Sequence, residues 1–507
     1  MLVGVGQVTS RPDPAIPPSE RPEPIDLMVR ALRAAAEDTV GAPSGGSAPA
    51  GDHLLKRANS LRVVEMLGGR MSNPGLAVAE RLGIEPVELM LSAIGGNMPQ
   101  SILSQSARAI ARGELDVVLV AGAECVYTRN AARKVRGASA LDWVHQDPGT
   151  TPAPVAFGAE RAPLTDLEMA RGLSLPIHVY PLFENALRAA NGWGLEEHRA
   201  HIGALWSSFS AVAAQNPYAW LRQHKTATEI TEPGSDNRMV SFPYTKLCTA
   251  NMMVDEGAAY ILCSVEAARA AGVGEERWVF PLSGADAHDH WFISERENLA
   301  TSPAIRLAGR AALDLAGVGI DDIGAIDLYS CFPCVVRIAA AELGLAVDDP
   351  GRPLTLTGGL TFFGGPGNNY TSHGIATLVG ALRDAPGTVG MATGLGWFAT
   401  KHAIGLYSSR PPTHQGHGFA WRDVQGEVDS TPRCTVDPDA HGPVTVETYT
   451  VTFSREGPER GILACRSESG ARTWATVEDP SELASLTAAE GIGRSGTLGP
   501  DGVLHLN

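Results

Sequence analysis

The chain has 507 residues, 44% of them apolar, and a formal charge of −16. That length exceeds one ordinary core and sets an expectation of about three domains, while the acidic balance argues against a nucleic-acid partner, whose backbone is held by clustered Lys and Arg. Seven cysteines scattered from Cys125 to Cys465 make no dense, evenly counted framework of a small secreted domain, so a reducing cytoplasm is the expected location. Met1 to Gly6 carries no basic leader, and no stretch approaches the roughly 20 apolar residues of a membrane span. Val503 to Asn507 is no peroxisomal address.

In chain order, Leu27 to Ala36 predicts a helix, and Gly41 to Gly51 has the composition of a flexible surface loop. Pro99 to Arg112 predicts a helix burying Ile102, Leu103, Ala107 and Ile110 and ending at Gly113. The run Val117 to Val120 is apolar on both faces, as in a central parallel strand covered on each side. From Tyr127 to Thr245 the pattern changes to helical stretches rich in Pro, His and aromatic residues, among them Trp193, Trp206, Phe209, Tyr218 and Trp220. The earlier unit then recurs: a helix over Ser372 to Arg383, the turn Pro386-Gly387, a strand over Thr388 to Ala392 and the turn Thr393-Gly394. A repeated helix, turn, buried strand and glycine predicts a duplicated α/β sandwich.

The tail differs. Pro411 to Pro443 reads as a linker, and Val444 to Phe453, Gly461 to Cys465, Thr473 to Val477 and Val503 to Leu506 read as short strands of a small antiparallel β-barrel. From Pro411 onward the charge is −7, so docking or substrate gating is expected there rather than nucleic-acid binding. The tail is expected to be an independent unit, with a body ending near Arg410 that stays folded without it.

Three loops carry a resemblance. Asp327-Leu-Tyr-Ser-Cys-Phe-Pro333 and Gly358-Gly-Leu-Thr-Phe-Phe-Gly-Gly-Pro366 resemble two active-site loops of thiolases, and Gly95-Gly-Asn-Met-Pro, leading into the helix that ends at Gly113, resembles the loop of the reactive cysteine. The resemblance, nearest the sterol-carrier subgroup, covers about Met1 to Arg410. It implies a duplicated five-layer αβαβα sandwich for that part of the chain, ahead of the small barrel read from the tail. The halves are residues 1–126 with 246–272, and 273–410; residues 127–245 form the inserted loop domain that in thiolases covers the acyl and pantetheine groups; 411–443 is the linker and 444–507 the barrel. It also implies an acyl-CoA ligand, with coenzyme A as substrate or ligand rather than a tightly bound cofactor. A dimer is the family default and a monomer the alternative.

Where the resemblance is strongest, the chemistry is missing. By position Gly96 replaces the nucleophilic cysteine, Gly365 the histidine base, Ala392 the second cysteine, and Tyr329 the residue that holds a catalytic water. A thiolase needs a thiolate at a helix amino terminus and a base that moves protons, so ordinary thiolysis is expected to be absent. The remaining reactive candidates are Cys331, His373, His402 and Tyr329, with Gly364, Gly365, Asn368 and Asn369 as candidate cofactor contacts. A relocated Cys and His pair is one reading; a buried, inert Cys331 and structural histidines are the other. Cys331-Phe-Pro-Cys334 lacks a second ligand pair, so no metal is expected. Three functions stay open: an acyl-CoA-handling enzyme with non-thiolase chemistry, a non-catalytic acyl-CoA or lipid binder, and a scaffold whose tail docks a protein partner.

Overall fold

The computed structural model of the protein describes residues 1–40, 50–69, 71–134, 141, 143–412 and 418–507. Most of the glycine-rich stretch from Gly41 to Gly51 therefore lies outside the described residues.

Two mixed sheets form the body. The first runs from edge to edge as Leu2–Thr9, Asp255–Cys263, Val117–Cys125, Ser60–Val63, Glu88–Ser92 and Val155–Phe157; the second as Ile323–Asp327, Val389–Gly396, Lys401–Ser408, Phe280–His288 and Ala420–Asp423. In each half the strand that closes the unit lies between the strand that opens it and the strand following the repeated helix. The duplication in the sequence is thus a duplication of strand order.

The predicted central strand is longer than four residues because burial on both faces continues through Cys125. Its alternate side chains feed two cores. Val117, Leu119 and Ala121 pack with the helices Pro24–Asp38 and Pro74–Leu82 on the outer face, while Val118 and Val120 face Ile102 and Leu103 of helix Met98–Ala111. Ile375, Leu378 and Leu382 of the second repeated helix, Tyr370–Asp384, join that inner cluster together with Ala392 and Tyr407 of the second sheet. The two repeated helices therefore lie between the sheets, and their amino termini sit at the end where the site loops emerge. Helices Pro303–Ala316 and Pro333–Leu343 cover the far face of the second sheet. No helix among the described residues is long and apolar enough to cross a membrane.

The expected closed barrel of the tail is not found. Its strands run Arg472–Val477, Pro458–Ser467, Gly442–Phe453, Ser495–Leu498 and Leu504–Leu506 as an open sheet, with one isolated bridge, Thr476 to Val503, between its ends. The last two strands are only four and three residues long, too short to carry a ladder around. A helix that the sequence reading did not contain, Pro480–Ala488, instead packs Leu483 and Leu486 on the sheet. The central tail strand also pairs with body residues, Thr452 with Ser241.

The tail also packs into the body. Ile462, Ala464 and Trp474 belong to the same buried cluster as Phe183, Trp206 and Phe332 of the body. Arg472, fully buried, donates to the carbonyls of Ile293, Ser294 and Arg296 and to the Glu447 carboxylate. Arg188, buried in the inserted segment, pairs with Glu490. Contacts of this depth are core contacts rather than a domain docked through a wet interface.

Candidate functional site

Both repeated helices begin at one point, and the loops that resemble thiolase loops converge on it. The Thr371 hydroxyl, in the first turn of helix Tyr370–Asp384, donates to the Gly96 carbonyl at 2.7 Å. After strand Ile323–Asp327 the chain turns through Tyr329, whose N–H donates to Thr393 Oγ1 at 2.8 Å and whose ring meets Tyr370 edge-on with centroids 5.4 Å apart. This places the Tyr329 hydroxyl over Gly96. A Cβ built on Gly96 would lie 2.5 Å from that oxygen and closer still to the Leu395 carbonyl oxygen. At Gly96, the position that the resemblance gives to the nucleophile, the space for a side chain is therefore taken by a phenol and a backbone carbonyl.

Gly365, which the resemblance sets in the place of the base, differs. A Cβ on Gly365 would meet nothing nearer than 3.4 Å, the Asn251 carbonyl oxygen, which is an ordinary contact. Gly365 is held by its N–H donating to that same oxygen at 2.9 Å. Neighbouring Gly364 has φ +134°, and a Cβ there would lie 2.5 Å from a carboxylate oxygen of Glu256, so only glycine suits it. Ala392 is sealed in the apolar cluster between the sheets, beside Ile375 and Leu378. The residue of that strand which faces Gly96 is Gly394, two positions on, where a Cβ would stand 3.1 Å from the Gly96 oxygen.

The remaining candidates do not assemble into a reactive pair. Burial pushes the Cys331 thiol up to about 12, although the Tyr180 hydroxyl beside it favours the thiolate. Neither histidine is among the partners of Cys331. His402 Nε2 stands 3.3 Å from Asp289 and 3.1 Å from the Ala399 carbonyl. Burial raises the Asp289 carboxyl, but its hydrogen bond and charge pairing with His402, together with Arg296, outweigh this and hold it low. His373 is fully buried with Nδ1 on Gln7 Oε1 at 2.9 Å, and burial takes it down to about 3. Asn368 and Asn369 serve the backbone: Asn368 accepts from the Gly95 N–H at 3.0 Å and donates to the Glu65 carbonyl at 2.7 Å, while Asn369 donates to the Gly122 carbonyl at 2.6 Å.

Two features escaped the sequence reading. Lys401 precedes His402 and is 8% exposed; its ammonium donates to the Ile94 carbonyl beside the Gly95-Gly96 turn, and burial takes it down to about 8. It brings an amine to the Gly95-Gly96 loop beside the Tyr329 hydroxyl, and the Thr400-Lys-His run was its only signal. The second is a groove of about 1220 Å³ whose floor includes Asn251, the residue bonded to Gly365, and Thr361. Trp220, Leu221, Met252 and Met253 supply apolar walls, and Arg238 and Lys246 stand at its rim. Met252 and Met253 are 41% and 44% exposed, and unbranched thioether side chains on a surface make an adaptable apolar wall. Among the described residues no group of three or more His, Cys, Asp or Glu could hold a metal ion.

Residues 423–503 match the family model of the thiolase-like protein type 1 additional C-terminal domain, and residues 285–370 match that of a thiolase C-terminal domain-like family. The chain is similar throughout to the monomeric SCP2-thiolase like protein type 1 (STLP1) from Mycobacterium smegmatis: 32% identity, 100% of this chain and 98% of that one, TM-score 0.83. The chain belongs to the thiolase superfamily, among the SCP2-thiolase-like proteins of type 1. Two more distant solved structures share the fold over most of the chain. These are the Ltp2-ChsH2(DUF35) aldolase, at 19% identity over 81% of this chain and 97% of that one with TM-score 0.59, and the Acat5 thiolase from Ascaris suum in complex with coenzyme A, at 14% identity over 80% and 98% with TM-score 0.54. No curated protein matches the chain in sequence.

Proposed function

We propose that this type 1 thiolase-like protein binds a coenzyme A thioester without cleaving it by thiolysis. One observation carries the reading: at Gly96 the space for a nucleophile is taken by Tyr329 and the Leu395 carbonyl. The loss is therefore built into the packing of the site and is not reversed by one side chain. Cys331 is no substitute, because a thiol that burial raises to about 12 is almost wholly protonated at neutral pH. The groove over Asn251 and Thr361 supports the binding half of the proposal. It leads toward the loop of Gly365, has apolar walls for a pantetheine arm and cationic residues at its rim, and the Acat5 relative is solved with coenzyme A.

The same reading makes the protein a cytoplasmic monomer. Thiolases pair through the edge strand beside the nucleophile loop. Here that strand, Glu88–Ser92, is covered by Val155–Phe157 in parallel register, Met90 with Val155 and Ser92 with Phe157. An edge whose donors and acceptors are already paired offers no template for a second chain, and the STLP1 relative is described as monomeric. The test is a thiolysis assay with acetoacetyl-CoA and free coenzyme A, run beside calorimetric binding of each. Binding without turnover is expected; turnover above a matched blank that a site variant abolishes would overturn the proposal.

A further inference from the structure

One wall of the groove comes from the tail. Tail strands Gly442–Phe453 and Pro458–Ser467 are joined by a tight turn in which the Ser454 N–H donates to the Gly457 carbonyl at 2.9 Å, and Phe453 to Gly457 line the groove opposite Met252 and Met253. The turn is fixed to the body on its inner side. The Phe242 N–H donates to the Val451 carbonyl at 2.8 Å, Thr452 pairs with Ser241, and Arg238 Nη1 bonds the Met239 carbonyl at 2.8 Å and the Phe453 carbonyl at 3.4 Å. At its tip Arg455 is exposed, with no hydrogen bond or ion pair to any described residue. The Lys246 ammonium, also lining the groove, has none either. Three cations thus surround the groove mouth on a protein of net charge −16, with Asp236 and Glu456 as the acidic residues of the same lining.

We infer that the tail hairpin is part of the ligand site, with Arg455 contacting the phosphates of the ligand's nucleotide end while the Met252 and Met253 side holds its apolar arm. This deepens the coenzyme A reading and rests on it. The physical case is local. An unpaired guanidinium on a held turn has lost little of its freedom to a competing partner, and it offers a planar fork matched to phosphate oxygens. A cluster of cations attracts a multiply charged nucleotide to a surface that would otherwise repel it. The additional domain then has a function in recognition, which accounts for its strand being paired to the inserted segment.

The experiment is calorimetric titration of coenzyme A and of pantetheine, which lacks the nucleotide and its phosphates, into the wild-type protein, Arg455→Gln and Arg455→Lys. Arg455 is exposed and unpartnered, so the variants should melt with the wild type. Arg455→Gln is expected to weaken coenzyme A by roughly three- to tenfold, as for one charged contact in partial solvent, and to leave pantetheine unchanged. Arg455→Lys is expected to recover part of the loss, and the gap between variants should narrow at high salt. Equal coenzyme A affinity in wild type and Arg455→Gln, or equal weakening of both ligands, would overturn the inference while leaving coenzyme A binding intact. Failure of the wild type to bind either ligand would instead overturn the groove reading, and the role of the hairpin with it.

Discussion

Returning a side chain to position 96 tests whether the site is closed by packing. The Cβ of Gly96→Ala would enter 2.5 Å from the Tyr329 hydroxyl and nearer still to the Leu395 oxygen. Ordinary carbon contacts lie at about 3.5–4.0 Å, so each neighbour would have to retreat by roughly 1 Å. Neither can do so freely. Leu395 pairs with His402 in the sheet, and Tyr329 is fixed by its N–H on Thr393 and its contact with Tyr370. Overpacking of this kind costs about 1–3 kcal/mol or more. Urea unfolding should therefore show Gly96→Ala destabilised by that amount and Gly96→Cys by at least as much. Tyr329→Ala is costly alone, since it empties a buried site. In that background, however, adding Gly96→Ala should cost less than in the wild type, with a coupling of about 1 kcal/mol in a double-mutant cycle. Gly365→Ala gives the contrast: its Cβ has an ordinary 3.4 Å contact and should be nearly neutral. A neutral Gly96→Cys that becomes acylated by an acyl-CoA would refute the reasoning, because the pocket would then be open.

Further outcomes follow from the same contacts. Arg472→Met should lower stability by about 3–5 kcal/mol in urea unfolding, since it strips the partly buried Glu447 of one of its two arginines and leaves the carbonyls of Ile293, Ser294 and Arg296 without that buried donor; a loss under 1 kcal/mol would mean that tail and body are not one core. A chain ending at Arg410 should aggregate or melt at least several degrees lower, because Trp474, Ile462 and Ala464 leave the main cluster; an unchanged melt would contradict this. Native alkylation at pH 8 should modify Cys434, the one cysteine that is not buried, and spare Cys331; rapid labelling of Cys331 would show that its loop opens. Folded His373 releases its proton near 3 whereas an unfolded His holds one up to about 6.5. The unfolded state thus binds more protons between those values, and the stability this group contributes is lost as pH falls through about 6.5. The stability cost of His373→Gln should accordingly shrink from pH 7 to pH 5. Glu124 has the opposite sign: burial raises its carboxyl to about 7, the folded state holds the extra proton, and Glu124→Gln should gain on the wild type as pH rises from 5 to 8. Urea midpoints of the two variants that fail to move in opposite directions would contradict both assignments.

Much of the body was legible because its signals are local and periodic. The helix read as Pro99 to Arg112 is Met98–Ala111, and that read as Ser372 to Arg383 is Tyr370–Asp384, since the spacing of Ile102, Leu103 and Ala107, and of Ile375, Leu378 and Leu382, is set by the helix itself. The strand read as Thr388 to Ala392 continues to Gly396, because small residues there read as a turn while the sheet partners of Thr393 and Gly394, Ile404 and Ala403, hold them extended. What the sequence could not express was adjacency. Tyr329 and Gly96 are distant in the chain, and only the fold turns a missing cysteine into a filled site. Lys401 was overshadowed by His402 because alternation in a strand sends neighbours to opposite faces, and no local pattern says which face meets Gly95. In the tail, composition suggested a linker and a barrel, yet the pairing of Ser241 with Thr452 and the burial of Arg472 come from residues about 175 or more positions apart, a separation at which periodicity carries no information.

The central claim, that a coenzyme A thioester occupies the groove beside a closed catalytic site, is tested most directly by calorimetric titration of acetoacetyl-CoA into the wild type and into Met252→Trp. Met252 is 41% exposed and lines the groove, so the variant should fold normally while filling the space of the pantetheine arm. The account predicts saturable binding to the wild type, roughly micromolar, and its loss in Met252→Trp with an unchanged melting temperature. A wild type that gives no saturable heat, or a variant that binds as tightly as the wild type, would contradict it.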